Sequence, residues 1–161
     1  MIKKIHNFLI ENNKTISVCE SITAGALSSK LISNPGSSAF FKGSLVVYND
    51  EIKNKLLKID LEKIKKFSAV SKEISLEMAK SVKKIFDSDY SVSTTGNAGP
   101  QNSDKISKKG GLFITVVTPS KIITKEYSLK DQRSKNIQNA VDFAINLPVS
   151  YTHLTLPTTS P

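Results

Sequence analysis

The passage that most constrains this fold begins at Thr15-Ile16-Ser17-Val18-Cys19, a short apolar run. It crosses Glu20-Ser21-Ile22-Thr23-Ala24-Gly25 and enters Ala26-Leu27-Ser28-Ser29-Lys30-Leu31-Ile32, where apolar residues recur at helical spacing. A buried strand that turns directly into a helix is a building unit of α/β architectures. The same passage puts Ser21 in the turn, beside helical N–H groups that lack intrahelical partners and suit an anion or a developing oxyanion. Two readings of Ser21 stand together here: a nucleophile, or a helix cap.

The rest of the chain repeats this alternation. A helix is expected over about residues 2 to 12, where Ile2, Ile5, Phe8 and Leu9 share a face. Ser38 to Gly43 reads as a turn region and Ser44-Leu45-Val46-Val47-Tyr48 as a strand, with Asp50 placed to cap the helix Glu51 to Leu57. Asp60 caps a short helix to about Lys66, and Ser71, Ile74, Met78, Val82 and Ile85 mark a longer one ending near Asp87. Tyr90 to Thr95 alternates as a strand and breaks at Gly96-Asn97-Ala98-Gly99-Pro100, where backbone can approach a ligand. Gln101 to Lys109 is polar and reads as a mobile loop. Leu112 to Thr118 and Ile122 to Tyr127 form a hairpin, and a last helix runs from about Gln132 to Leu147. The expected fold is α/β: a three-layer α/β/α sandwich with a mixed, mostly parallel sheet and a C-terminal β-hairpin and helix.

With 161 residues the chain is long enough for one core without staples. Cys19 is its single cysteine and His6 and His153 its two histidines, a set that excludes an intramolecular disulfide and argues against a zinc site. The short, interrupted apolar stretch near the N-terminus does not read as a cleaved leader, and no apolar run approaches bilayer length, so a cytoplasmic protein without a membrane partner is expected. The net charge of +9 invites a nucleic-acid reading. Its distribution argues against one: Arg133 is the only arginine, and the lysines are scattered rather than set in a stripe with aromatics.

From Pro148 onward the sequence leaves lysine and helical periodicity for Thr and Pro. Residues 148–161 resemble a translated cloning or adapter peptide, with a disordered natural tail as the alternative, so the domain is expected to be 1–147. That leaves His6 as the histidine of the folded part. A Ser-His-Asp arrangement would need it near Ser21, whereas the start of a terminal helix suits a surface residue. Lysine serves as a base when it is kept neutral, and tyrosine relays protons. Tyr48 and Lys53, at a strand end and in the first turn of the next helix, are spaced to aim at one cleft; on spacing alone, a core-edge tyrosine and a surface lysine fit as well.

Glu20-Ser21-x-Thr23-Ala24-Gly25, Pro35-Gly36-Ser37-Ser38-Ala39-Phe40-Phe41-x-Gly43, Tyr48-x-x-Glu51-x-Lys53, Ala69-Val70-Ser71 and Thr95-Gly96-x-Ala98-Gly99-Pro100 together resemble the CinA C-terminal domain family of nicotinamide-nucleotide amidohydrolases. The resemblance covers roughly residues 3 to 147. It implies hydrolysis of the carboxamide of nicotinamide mononucleotide (NMN) to nicotinate mononucleotide and ammonia, in pyridine-nucleotide recycling, with no metal or cofactor. Carried over, Ser21 is the nucleophile, and Tyr48 and Lys53 handle protons, either of them as the direct base. Glu20, Thr23, Ala24 and Gly25 on one turn, and Thr95, Gly96, Ala98 and Gly99 on the other, would surround the nucleotide and supply backbone donors to phosphate or oxyanion. Arg133 is a phosphate contact or a helix-start salt bridge. Asn97, and Gln101-Asn102-Ser103-Asp104 after the proline, depart from the family pattern. A non-catalytic nucleotide-binding or regulatory module of the same fold is the competing reading, and a homodimer is the default expectation for such a domain.

Overall fold

The computed structural model describes residues 1–155, with side chains described over 1–150. In chain order the elements are α1 (Ile2–Glu11), β1 (Ile16–Glu20), α2 (Ala26–Leu31), a 3-10 turn (Ser37–Ala39), β2 (Phe41–Val46), α3 (Asp50–Leu57), α4 (Leu61–Phe67), α5 (Lys72–Phe86), β3 (Tyr90–Gly96), β4 (Gly111–Val117), β5 (Ile122–Ser128) and α6 (Arg133–Thr155). One sheet holds the five strands in the order β2-β1-β3-β4-β5. β1 pairs in parallel with β2 and β3, while β4 is antiparallel to β3 and β5 antiparallel to β4. The sheet is therefore mixed, with β4 alone running against the other strands.

The period of two in the strands divides the molecule into layers. Ile16 and Val18 of β1, Val92 of β3 and Ile114 and Val116 of β4 point into one core, where α1, α2 and α6 cover them with Ile5, Leu9, Leu27, Leu31, Ala140 and Ala144. The opposite face carries Cys19 and packs against Leu57, Ile64, Ile74, Met78 and Val82 from α3, α4 and α5. The expected sandwich is present. On the α5 side the alternate strand residues are hydroxylic, and they are buried rather than solvated. Ser91 donates to the Ala79 carbonyl, Ser93 to that of Ser75 and Thr95 to that of Ala69, each at 2.7 Å. Small hydroxyls let α5 lie close to the sheet while each of these three donors is satisfied.

The bounds of β2 and α6 differ most from those expected. β2 begins at Phe41 rather than Ser44, because the stretch read as a turn is an edge strand whose register skips at Lys42. Gly43 in that strand has φ 154°, and a Cβ there would lie 2.5 Å from the Phe86 ring at the end of α5. The close approach requires glycine. The last helix runs past Leu147 through Pro148 to Thr155, and Leu147 and Val149 are buried in the main core. The expected end of the domain at 147 therefore falls inside a helix, while residues 156–161 lie outside the described residues. No helix among the described residues is long and apolar enough to cross a membrane.

Candidate active site

Ser21 follows the last residue of β1 and is fixed by its own backbone. Its N–H donates to the Thr94 carbonyl at 3.0 Å, and its carbonyl accepts from the Ala24 N–H at 3.2 Å. The side chain opens into a cleft of about 530 Å³, although only 8% of the residue is exposed. Lys53 comes from α3, where the Asn49 carbonyl accepts its N–H at 3.1 Å. Its side chain is 1% exposed, and Nζ donates to Ser21 Oγ at 3.5 Å. That separation is the long limit of a hydrogen bond, as is common before substrate closes a site.

Burial dominates the electrostatics of this pair. It holds the Lys53 pKa below the ordinary 10.5, although the charge of Asp50 and the Cys19 thiol oppose the shift. Cys19, on β1 beneath the same lysine, is pushed up to about 12 by burial, with Lys53 drawing it down and Glu20 pushing it up. The thiol therefore stays protonated. A neutral lysine beside a serine hydroxyl has a lone pair to accept the serine proton, which a surface ammonium lacks.

Tyr48 lines the cleft but stands at its mouth, 60% exposed. Its hydroxyl accepts from Arg133 Nη2 at 3.0 Å, while Arg133 Nη1 donates to the Gly99 carbonyl at 2.6 Å. Among the described residues Arg133 forms no ion pair, so the helix-start salt bridge is not made; the guanidinium instead ties the first residue of α6 to the opposite rim. Thr95, Gly96, Ala98 and Gly99 line the cleft as expected. The Thr95 hydroxyl points away to the Ala69 carbonyl, and Ala98 is held through its carbonyl by the buried Asn136. Ile22, Asp50, Ala69, Val70, Asn97, Pro100, Gln101, Asn102 and Ser103 complete the wall.

Glu20, Thr23, Ala24 and Gly25 do not line the cleft, which corrects their expected place around a nucleotide. Glu20 is 0% exposed, and its carboxylate accepts from the Leu27 and Ser28 N–H groups at 2.9 and 3.0 Å. The Thr23 and Ser28 hydroxyls also donate to it. Those N–H groups open α2, so the helix end expected to hold an anion is filled by the protein's own carboxylate. Capping falls to Glu20, not to Thr23 or Ser21, and Gly25 supplies the left-handed turn (φ 99°) that starts the helix.

The loop after Pro100 is more organised than its polarity suggests. Asn97 is 3% exposed; its amide nitrogen donates to the Ser107 hydroxyl and the Lys108 carbonyl, and its Oδ1 accepts from the Ser103 N–H. Asp104 accepts from the Ile106 and Ser107 N–H groups and from the hydroxyls of Ser107 and Ser68. Burial pushes the Asp104 pKa up, but these hydrogen bonds outweigh it and hold the carboxyl below its ordinary 3.8. Asn97 and Asp104, set apart in the sequence as departures, are the residues that shape this wall. Asp50 lines the cleft instead of capping α3, a role that belongs to Asn49, whose side chain accepts from the Ile52 N–H. Its three-residue spacing from Lys53, which puts both on one helix face, was the signal for it. His6 is not part of the cleft and stands edge-on to Phe40, with ring centroids 4.8 Å apart.

The sequence model of the CinA C-terminal domain matches residues 1–151. A CinA-like protein of Flavobacterium psychrophilum is 40% identical over 139 residues, covering 86% of this chain and 33% of the relative. A putative competence-damage inducible protein of Clostridium novyi is 37% identical over 133 residues, 83% of this chain and 32% of its own length. The chain thus spans about a third of the length of these curated relatives. A crystal structure of a competence-damaged protein (CinA) superfamily member from Enterobacter cloacae superposes with a TM-score of 0.89 at 26% identity, over 94% of this chain and 89% of that one. The competence damage-inducible protein A of Klebsiella pneumoniae superposes at 0.91 and 21% identity, over 96% of each chain, a likeness of fold.

Proposed function

Because the chain belongs to the CinA C-terminal domain family, we propose that it is a serine amidohydrolase. In this reading it converts NMN to nicotinate mononucleotide and ammonia, in pyridine-nucleotide recycling. The observation that carries the proposal is the Lys53–Ser21 pair, an amine held below its ordinary pKa and 3.5 Å from a hydroxyl at the floor of a cleft. Neutral Lys53 takes the Ser21 proton as Oγ attacks the carboxamide carbon. The oxyanion lies near the N–H of Ile22, which lines the cleft and has no hydrogen-bond partner among the described residues. The Ser21 N–H is already given to Thr94 and is not a donor here. Lys53 returns the proton to the departing nitrogen, the C–N bond breaks, and ammonia leaves an acyl ester on Ser21. Water, deprotonated by the same amine, then hydrolyses the ester and frees the carboxylate product.

Tyr48 orients the mouth of the site through Arg133, and the base is Lys53 because it is the group within reach of Oγ. Arg133 keeps further N–H donors for the phosphate of the nucleotide. The test is ammonia release from NMN by the purified protein, with Ser21→Ala as control. Release above that control supports the amidase. NMN binding without release would make the domain a non-catalytic nucleotide module.

A further inference from the structure

The charged side chains that line the cleft are Asp50, Lys53 and Arg133. Burial works against a charge on Lys53, while one carboxylate and one guanidinium stand on the wall beside it. Arg133 is anchored by Gly99 and Tyr48. Asp50 is exposed, and among the described residues its carboxylate makes no hydrogen bond and no ion pair. Opposite charges that face one cleft are thus left unpaired with each other. Helix capping does not account for Asp50, since Asn49 caps α3. Its position three residues before Lys53 puts the negative charge on the side of the cleft where the reacting group would lie.

A cleft with a carboxylate near the nucleophile and a guanidinium at the mouth is complementary to a dipolar ligand. Its cationic part would lie beside the scissile bond and its anionic part toward the opening. We infer that Asp50 is a specificity-determining residue that selects substrates with a fixed positive charge next to the reacting carboxamide. The inference rests on the proposed deamidation and deepens it. In NMN the ring nitrogen is quaternised by ribose, so the ring is a pyridinium and the phosphate an anion. The reduced, dihydropyridine form keeps the carboxamide, ribose and phosphate but, having gained a hydride at C4, carries no ring charge. It isolates what Asp50 contributes.

The experiment measures dissociation constants of NMN and of reduced NMN by calorimetry, using Ser21→Ala protein, which binds without turnover, with and without Asp50→Asn. The expected result is about tenfold weaker binding of NMN on Asp50→Asn, with less than twofold change for the reduced form. Asp50→Glu, which keeps the charge, retains the preference for NMN. Equal weakening of both ligands, or of neither, overturns the inference, because a carboxylate that merely supports α3 does not distinguish ring charges. Ammonia release from NMN by the wild-type protein is scored separately. Release with an unchanged ratio of the two constants removes Asp50 and leaves the amidase standing, whereas no release by wild type together with failure of Ser21→Ala protein to bind either nucleotide overturns both.

Discussion

Glu20 holds Ser28 through two hydrogen bonds to one carboxylate oxygen, from the Ser28 N–H and from its hydroxyl. The other oxygen accepts from Thr23 and from the Leu27 N–H. A residue of the motif around Ser21 therefore serves the fold. It fixes the turn that presents Ser21, and it satisfies helix donors that would otherwise be buried unpaired. Glu20→Ala should lower unfolding stability by about 3 kcal/mol, the scale for losing buried hydrogen bonds to a charged group. Denaturant unfolding checks this; unchanged stability with a raised KM would instead restore Glu20 to substrate binding.

The buried amine predicts the opposite behaviour for Lys53. Its folded pKa lies below the unfolded value of 10.5, so the unfolded chain binds the extra proton first as pH falls. Stability therefore falls as pH drops through the window between the unfolded and folded values, and the deficit persists below it. Lys53→Met should be inactive yet more stable than wild type at neutral pH, with the difference closing above 10.5. Thermal unfolding at neutral and strongly alkaline pH measures it.

Much of this architecture is legible in the sequence because period and punctuation agree: the alternation in Tyr90 to Thr95, the caps at Asp60 and Ser71, and the hairpin around Pro119 all stand where the pattern puts them. Local pattern fails where a distant group decides the outcome. Phe41-Lys42-Gly43 has turn composition, but pairing with β1 and the approach of Phe86 make it strand. The α2 donors look free until the turn is folded, when Glu20 reaches forward to them. In the site, the resemblance names Ser21, Tyr48 and Lys53 together, and of the three only Tyr48 stands exposed at the mouth. Asn97 and Asp104 depart from the family pattern, and their roles are not legible because their partners, Ser103, Ser107 and Ser68, are set by loop closure and not by periodicity.

Those partners make the wall after Pro100 separable from the chemistry. Asp104→Ala should loosen residues 101–109, seen as faster proteolysis in that segment, and raise KM for NMN several-fold with kcat little changed. Because the Asp104 pKa is held below 3.8 when folded, its contribution is complete above that value and is lost as pH falls through the lower one. Proteolysis of wild type should therefore accelerate in that segment at strongly acidic pH.

Tyr48, at the mouth and bound to Arg133, is expected to be dispensable for proton transfer. Tyr48→Phe should keep turnover within about tenfold of wild type, below the range of a lost general base. Steady-state ammonia release checks this, and a loss as large as that of Ser21→Ala would make the tyrosine the base.

The central claim is that Lys53 is the base of Ser21, and the direct measurement is the pH dependence of ammonia release from NMN by wild-type protein and by Lys53→Ala. Wild-type turnover should rise with pH on a single deprotonation below the ordinary lysine value of 10.5, and Lys53→Ala should lose about a thousandfold in kcat while remaining folded. A folded Lys53→Ala protein with the wild-type rate and pH profile would contradict it.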